Sequence, residues 1–524
     1  MKYVNRYSAL VAFMTWRLFA TFASAQSNPP PTIEWQASVG RGGIDELYAA
    51  WSLPDGGFVL GGWSQGPTNF TPSTPDYGFQ DMWVVRQDAT GQLLWQLSLG
   101  GNSSDCATGV VPAPDGGICV VGNGYSGVSG NKSSQPWGGG DVWVVKLDDA
   151  GNKLWDLNYG GSSLDIVYAT EPTVNGLLMG GLSFSPRDGT KLSAGPGAWV
   201  VLVDYNGFTI WDYSFGIAYD TFYAVKELPS SGFILGGASA AEPGPTKSAP
   251  HFGGYDYYLV RLNGNGQPIW ERTFGGTNDD LLTSLDVMPD GGFILGGLSR
   301  SDAGGNKTTP RLALSPAFFD FWLIRVDANG NKLWERTVNK SVVGPMLVLA
   351  VKPSGIMVAG GVAGQTGSLD NWLARLDERG TMLWEFYVGG STGDYLNALR
   401  QCPDRGFLLA GTSRSDISGS KTAPAYGYSH FWTIKLAPEI LPDTDQDGVP
   451  DEQDHCPGTA SGVSVDANGC SIEQRVPCSA PWNNHGQYLK AVRAVADEFL
   501  HNGLINQSQK ETILSEAVRS GCGK

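Results

Sequence analysis

One phrase recurs along this chain and limits its fold more than any other feature. A Trp closes it at Trp35, Trp95, Trp155, Trp211, Trp270, Trp334 and Trp384, at spacings of 60, 60, 56, 59, 64 and 50 residues. Self-similarity at such a period means a stack or ring of like units that bury their faces against each other. Each unit holds four short segments suited to strands. After Trp95 they read CATGVVPAP, GICVVGN, DVWVVKLD and NKLWDLNYG. The first two flank Asp115-Gly116-Gly117, and Asp-Gly between apolar runs is the strongest short hairpin signal. The last two flank Asp149-Ala150-Gly151, a second tight turn.

The third segment returns as MWVVRQ, VWVVKL, AWVVLV, YYLVRL, FWLIRV, NWLARL and FWTIKL. Seven units of four strands, with no helical period between them, predict an all-β fold: a seven-bladed β-propeller over 32–437, after a short linker at 26–31. Radial repetition protects strand edges without closing a single barrel. The two ends of the array agree. The chain enters at Thr32-Ile33-Glu34-Trp35, a fourth-strand phrase, and leaves at Phe431 to Leu436, a third-strand phrase. The N-terminal strand can therefore complete the last blade and lock the ring. The 72 Gly, 18 Trp, 19 Tyr and 21 Phe suit many short strands joined by tight turns.

Phrases such as DGGFILGGLSRS, DFWLIRVDANGNKLWERT and GNKTTP resemble those of secreted bacterial β-propeller repeat proteins, from about Thr32 to Leu436. That resemblance implies fold and export more than any activity. The DxxGxxxW half-motif is similar to the tryptophan-docking motif of quinoprotein dehydrogenases. Those enzymes usually have eight blades, and the count here is seven.

Residues 1–25 read as a signal peptide. Lys2 and Arg6 supply a basic start, an apolar stretch interrupted by Arg17 follows, and Ala23-Ser24-Ala25 precedes Gln26 as a small-residue cleavage site. The expected location is exported: extracellular, cell surface or periplasm, an oxidising setting. No Cys follows the cleavage site, so no lipid anchor is expected, and no later apolar run is long enough for a membrane-spanning helix. The formal charge of −16 argues against a nucleic-acid partner, which would need a basic face. With 41% hydrophobic and only 16% charged residues the chain is neither a disordered acidic tail nor a coiled coil.

If the Trp-bearing strand is outermost, the second-to-third-strand loops and the blade-to-blade connections share one face. The long variable loops fall at 65–80, 125–140, 184–196, 240–255, 300–319 and 414–430. Variable loops on a rigid scaffold are where binding usually resides. Five carry a Lys in a similar setting: Lys132, Lys191, Lys247, Lys307 and Lys421. Trp137, Phe252, Tyr255, Phe318, Phe319, Tyr426 and Tyr428 lie nearby. Either these residues form a platform of aromatic faces and ammonium donors for an extracellular protein or glycan, or Lys and Pro simply order the loop that caps each blade. A second recurring feature is an Asp nine or ten residues after the Trp: Asp45, Asp105, Asp165, Asp220, Asp280 and Asp394, with Gly344 in the sixth unit. Such a ring could attract a cation at the channel rim, but an Asp in this position more commonly accepts hydrogen bonds from its own turn.

Catalytic signals are weak. The five His show no HExxH or metal spacing with Cys, and no phosphate-cradling GxxxxGK[ST] occurs. Gly62-Trp63-Ser64-Gln65-Gly66 matches GxSxG, but the same Ser recurs as Ser183, Ser239, Ser299 and Ser413, between strands and not on a strand-to-helix turn. No carboxylate pair stands out of the repeat as a glycosidase would need, and no adjacent Cys-Cys pair marks a quinone site.

After Pro438 the composition changes. In DTDQDGVPDEQD, carboxylates fall at positions one, three, five, nine and twelve: Asp443, Asp445, Asp447, Asp451 and Asp454. Gly448 sits at position six, where a sharp turn is needed, and Val449 offers its carbonyl at seven. A calcium ion wants six to eight oxygens, and this spacing supplies them. The alternative is a solvated acidic linker. The last ligand is Asp where an EF-hand has Glu, and no helical segment precedes it. With the following DHCPGTASGVSVDANGC, the segment resembles a thrombospondin type 3 repeat from Asp443 to about Cys470, which implies structural calcium on these residues.

Cys456 and Cys470 bracket a short loop, and Cys478 and Cys522 bracket the last segment, so the tail is expected to pair internally. Cys106, Cys119 and Cys402 remain, and no bridge is expected between Cys106 and Cys119. Leu489, Val492, Val495 and Phe499 form one helical stripe before Asn502-Gly503; Ile513, Leu514, Ala517 and Val518 form a second, after Asn506 with Gln509 as a capping pair. The tail thus divides into a calcium-binding segment, 438–475, and a disulfide-closed helical hairpin, 476–524. A module this small needs such a staple.

The sequence therefore predicts an exported, non-catalytic propeller that binds an extracellular or envelope protein or glycan through its loop-rich face. The competing expectation is an exported enzyme, quinoprotein-like or glycan-active, with its site at the channel mouth. A third is a structural surface-layer component that self-associates in calcium.

Overall fold

Tight turns convert the four apolar segments of each unit into an antiparallel sheet. In blade 1 the strands are Ile44–Ser52, Phe58–Gln65, Asp81–Gln87 and Leu93–Leu99. Between the first two, Gly56 takes φ 82°, Gly56 N donates to Leu53 O at 3.0 Å, and Gly57 N donates to the Asp55 carboxylate at 3.0 Å. The last two are joined through Asp88, whose Oδ1 accepts from Thr90 N and Gln92 N at 2.8 and 3.0 Å. Asp, Asn and Gly are chosen at these turns because they satisfy the backbone locally or tolerate positive φ.

Seven such sheets form the propeller, each four-stranded, in a computed structural model that describes residues 29–66, 74–315, 317–340, 342–352, 355–363, 368–439, 443–451 and 454–524. Blades 1 to 6 run over 44–99, 105–159, 165–215, 221–274, 280–338 and 342–388. Blade 7 takes three strands from 394–436 and its fourth from Ile33–Val39, which pairs antiparallel with His430–Leu436. The expected ring closure is thus present, with Trp35 opposite Lys435 and Val39 opposite Phe431. Asn397 Nδ2 donates to Leu47 O at 2.7 Å, and Leu47 N donates to Thr412 Oγ1 at 2.9 Å, so the seam is also tied at the inner strands. The expected signal peptide, 1–25, lies outside the described residues. Among the described residues, no helix is long and apolar enough to cross a membrane.

The core lies between blades. Third strands such as Asp81–Gln87, Asp141–Leu147 and Asp320–Val326 are buried at every position. The Gly-Gly pair of the second strand has a packing reason. A Cβ on Gly61 would strike Val110 of the next blade, and one on Gly62 would strike the Glu46 carbonyl where the inner strand bulges. Blade 6 lacks the Asp at the start of its inner strand, and its neighbour compensates. Thr283 Oγ1 donates to Met346 O at 2.7 Å, Ser284 Oγ accepts from Val348 N at 3.2 Å, and Asp286 Oδ2 accepts from Ala350 N at 2.9 Å.

Each outer-strand Trp docks on the next blade. Gly91, at φ 81°, leaves room for the Trp35 indole, and Trp35, Trp95 and Trp334 donate Nε1 to Ala89 O, Asp149 O and Glu378 O at 3.2, 3.2 and 2.9 Å.

In the tail, disulfides join Cys456 to Cys470 and Cys478 to Cys522. Cys106, Cys119 and Cys402 are free thiols. Three helices follow: α1 (Ile472–Arg475), α2 (His485–His501) and α3 (Gln507–Arg519). Asn506 and Gln509 form the expected capping box on α3, and Ser471 with Gln474 forms another on α1. The buried face of α2 is Tyr488, Val492, Ala496 and Phe499; Leu489 and Val495 are only partly buried. Val518 is a correction: it lies 58% exposed and outside the core stripe.

Candidate functional site

Strand order places the Trp-bearing strand outermost and the first strand of each sheet on the axis. One face of the ring therefore carries the long loops and the blade-to-blade connections, and the other carries the short turns and the departing chain after Leu436.

The loop lysines are not on the surface of that face, which corrects their expected role as ligand donors. Lys132, Lys191, Lys247, Lys307 and Lys421 are 1–2% exposed. The ammonium of Lys132 lies 4.5 Å from the Trp143 ring centroid and donates to Asn158 Oδ1 at 2.9 Å. Lys247, Lys307 and Lys421 lie over Tyr258, Trp322 and Trp432 at 5.4, 5.5 and 5.8 Å. Lys191 donates to Ser193 O and Gly195 O at 3.0 and 2.8 Å; Lys307 donates to Ser301 O and Thr309 O at 3.0 and 2.8 Å. Burial lowers all five ammonium pKa values, that of Lys421 to about 8. Lys132, Lys247, Lys307 and Lys421 set the ammonium against an aromatic ring of the third strand, and Lys191, Lys247, Lys307 and Lys421 hold loop carbonyls, so the flexible cation becomes an internal strut.

Two further struts went unread in the sequence because they come from a different segment. In blade 1 the cation is Arg41, from the preceding connection, which donates to Ser98 Oγ at 3.1 Å and pairs with Asp76. In blade 6 it is Lys340, over Trp372 at 5.4 Å and paired with Glu385 at 2.8 Å. Outer-strand side chains complete the motif: Asp156 accepts from Ser133 N, Ser134 N and Trp143 Nε1, and Asp212 accepts from Leu192 N and Trp199 Nε1.

The recurring Asp residues are equally internal. Asp45, Asp105, Asp165, Asp220, Asp280 and Asp394 are fully buried. Each accepts from a backbone N–H of its own connection, such as Arg41 N to Asp45 at 2.8 Å and Gly276 N to Asp280 at 2.8 Å. Ser126, Ser185, Ser301 and Ser415 donate to Asp105, Asp165, Asp280 and Asp394 at 2.6–2.8 Å. Ser64, the GxSxG serine, is buried and donates to Asp45. Burial raises the Asp45 carboxyl to about 6.

What the loop face does expose is apolar. Phe79, Trp137, Leu192, Tyr219, Phe318 and Tyr428 are 49–66% exposed on its loops and connections. On the short-turn side Val174 and Phe208 are exposed, and Leu94, Leu154, Ile210, Ile269, Leu333 and Leu383, each just after a short turn in an outer strand, are 39–57% exposed.

The axis holds a cavity of about 370 Å³ lined by all seven inner strands. At one register, six residues beyond the Asp, stand Trp51, Val111, Glu171, Lys226, Asp286 and Arg400, and the strand pairing puts Leu349 at the same level in blade 6. Lys226 Nζ lies 3.3 Å from Glu171 and 3.8 Å from Asp286. Arg400 lies over the Trp51 ring at 5.0 Å. Burial raises the Glu171 carboxyl, with the charges of Lys226 and Arg400 opposing. The sequence carried a signal for this ring: charged residues at a position that other repeats fill with Trp, Val or Leu.

In the connector, ligand oxygens of Asp443, Asp445 and Asp447 lie within 4.8 Å of one another, and Asp443 Oδ1 and Asp447 Oδ2 are buried without a partner. Val449 follows the Gly448 turn, where Gly448 N donates to Asp443 at 2.9 Å and Val449 N donates to Asp447 at 2.8 Å. Asp451 and Asp454 stand apart from this cluster: Asp451 accepts from Thr444 N at 2.6 Å, and Asp454 accepts from Cys456 N at 2.7 Å.

No protein-family model matches the chain. An alpha-agarase of Alteromonas agarilytica is 39% identical over 66 residues, which are 12% of this chain and 5% of that enzyme. Solved structures match the chain at low similarity. A protein of unknown function from Dyadobacter fermentans has a TM-score of 0.40 and 12% identity, over 78% of this chain and all of that one. A periplasmic gluconolactonase from Pseudomonas aeruginosa has a TM-score of 0.36 and 12% identity, over 72% of this chain and all of that one. A glucose dehydrogenase gives 0.33 and 12%, over 76% and 98%. At these values the likenesses bear on neither activity nor ligand.

Proposed function

We propose that the protein is an exported, non-catalytic binding propeller that recognises an extracellular or envelope protein or glycan through its loop-rich face. The observation that carries this reading is the group of exposed aromatic side chains on the loops of that face, with Trp137, Phe318 and Tyr428 on loops of three different blades. Exposed apolar area of this kind marks interaction surfaces. The lysine struts and buried Asp residues support it by holding the loops rigid, which lowers the entropy lost on binding. Two disulfides suit an oxidising compartment.

Calcium is the second part of the proposal. Asp443, Asp445 and Asp447 would hold the ion, with the Val449 carbonyl, Asp451 and Asp454 turning toward it to complete an oxygen shell. Its role there is to order the connector.

The test is adsorption of the full chain to isolated envelope glycans and surface proteins, compared with a Trp137→Ser, Phe318→Ser, Tyr428→Ser triple variant. Loss of adsorption with an unchanged melting temperature supports the reading. Equal adsorption of both proteins, or turnover of a sugar substrate by the parent, overturns it.

A further inference from the structure

We propose that the axial channel is a second binding site, for a small carboxylate that also carries hydroxyl groups, of the sugar-acid class. The proposal is independent of the loop face, because the charged ring lies toward the other end of the inner strands. Glu171 also lines a cavity of about 530 Å³ between the short turns of blades 3 and 4, with Val174, Asn175 and Ser231, so the ring lies beside the short-turn face.

The inner strands of a propeller can be filled with apolar residues, and blades 2 and 6 do this with Val111 and Leu349. Blades 3, 4, 5 and 7 instead place four charges at the same level. Three satisfy one another: Lys226 stands between Glu171 and Asp286, and Asp286 also accepts from Ala350 N. Arg400 is different. Its Nη1 donates to the carbonyl of Leu399 at 3.0 Å, its buried Nε has no hydrogen-bond partner, and no carboxylate among the described residues pairs with it. Its charge reaches Glu171 only through space, so a guanidinium stacked on an indole keeps its planar fork open to a carboxylate of matching shape.

The rest of the wall narrows the ligand. Two cations and two anions leave the ring with no net charge, so a dianion such as phosphate would meet Glu171 and Asp286 as repulsion. A monoanion that donates hydrogen bonds fits better: its carboxylate meets Arg400 while its hydroxyls meet the carboxylates. Thr108 and Thr170 add buried hydroxyls without partners in the same wall. Tyr48 and Tyr168 are each 41% exposed there, and the Tyr168 and Tyr223 rings lie 5.2 Å apart, an aromatic surface for a sugar ring. The cavity volume falls within the roughly 300–1,000 Å³ of small-molecule sites.

The experiment is calorimetric titration of the full chain with glucuronate, galacturonate and a galacturonate trimer, against glucose, acetate and inorganic phosphate. Saturable binding of a uronate, at least about tenfold tighter than glucose or acetate and weakened about tenfold or more by Arg400→Gln, supports the proposal. Preference for the monomer points to a free sugar acid, and preference for the trimer to a polymer end. If Arg400→Gln does not fold, judged by its melting transition, Arg400→Lys carries the same comparison. The proposal is overturned by no uronate binding, by acetate or phosphate binding as tightly, or by affinity that ignores the Arg400 substitution.

Discussion

Trp384 Nε1 donates to Glu439 Oε1 at 3.2 Å, in the place where Trp334 finds a backbone carbonyl, Glu378 O at 2.9 Å. The substitution has a topological cause. Blade 7 borrows its outer strand from the N-terminus, so it has no turn between its third and fourth strands to receive the Trp of blade 6. The departing chain fills the gap with a side chain, and Arg375 holds the same carboxylate with Nε at 2.9 Å. The start of the connector is thereby fastened to the ring.

Glu439→Ala should destabilise the propeller by about 1–3 kcal/mol, because it removes the carboxylate that the Arg375 Nε–H and the Trp384 indole N–H share. Glu378→Ala should change stability by less than about 0.5 kcal/mol, since Trp334 uses only its backbone. Chemical denaturation of the two variants side by side checks the difference.

Gly91→Ala and Gly116→Ala separate docking from backbone strain. Both residues have positive φ, 81° and 84°, but an added Cβ meets the Trp35 ring at 2.7 Å in the first and nothing within 4 Å in the second. Gly116→Ala should cost about 1 kcal/mol, and Gly91→Ala should cost about 1–3 kcal/mol more, as overpacking does. Equal losses would show that the indole moves aside freely.

Lys307→Met should destabilise by about 1–3 kcal/mol, because the carbonyls of Ser301 and Thr309 lose their donor inside the loop. Phe318→Ser should leave stability within about 0.5 kcal/mol while weakening adsorption through the loop face. Melting curves and adsorption measured on both variants distinguish a strut from a contact residue.

Burial raises Asp256 to about 7, with His251 and Lys247 opposing and Asp280 reinforcing the shift. The folded state therefore holds this proton more tightly than the unfolded state, whose carboxyl titrates near 4. The stabilisation is fully present below about pH 4 and is lost as pH rises through about 7. Relative to Asp256→Asn, the parent should lose stability over that window, at no more than about 1.4 kcal/mol per pH unit. A stability difference that stays flat between pH 4 and 7 would show that the group is ionised throughout.

Calcium added to the EDTA-treated chain should release heat and raise the melting temperature of the tail, by mass action on the folded connector. Asp445→Asn with Asp447→Asn should abolish both signals. Unchanged heat in that double variant would place the ion elsewhere.

The sequence by itself determined the blade count, the strand order and the closure of the ring. Each follows from local pattern: apolar segments of strand length, Asp-Gly turns and a missing fourth strand at one end matched by a spare one at the other. The tail disulfides and the α3 capping box were legible for the same reason, since spacing alone brings those groups together. Tertiary structure decided which way the recurrent side chains face. Lys132 and Lys421 look like surface cations in a polar loop, yet the loop folds back over Trp143 and Trp432 and buries them. Arg41 and Lys340 do the same work from another segment, which no single-repeat pattern could reveal. Glu171, Lys226, Asp286 and Arg400 are separated by more than fifty residues each, and only the radial arrangement of the blades brings them to one level of the axis. A repeat fixes what each unit does with itself; closing the ring fixes what the units do to one another.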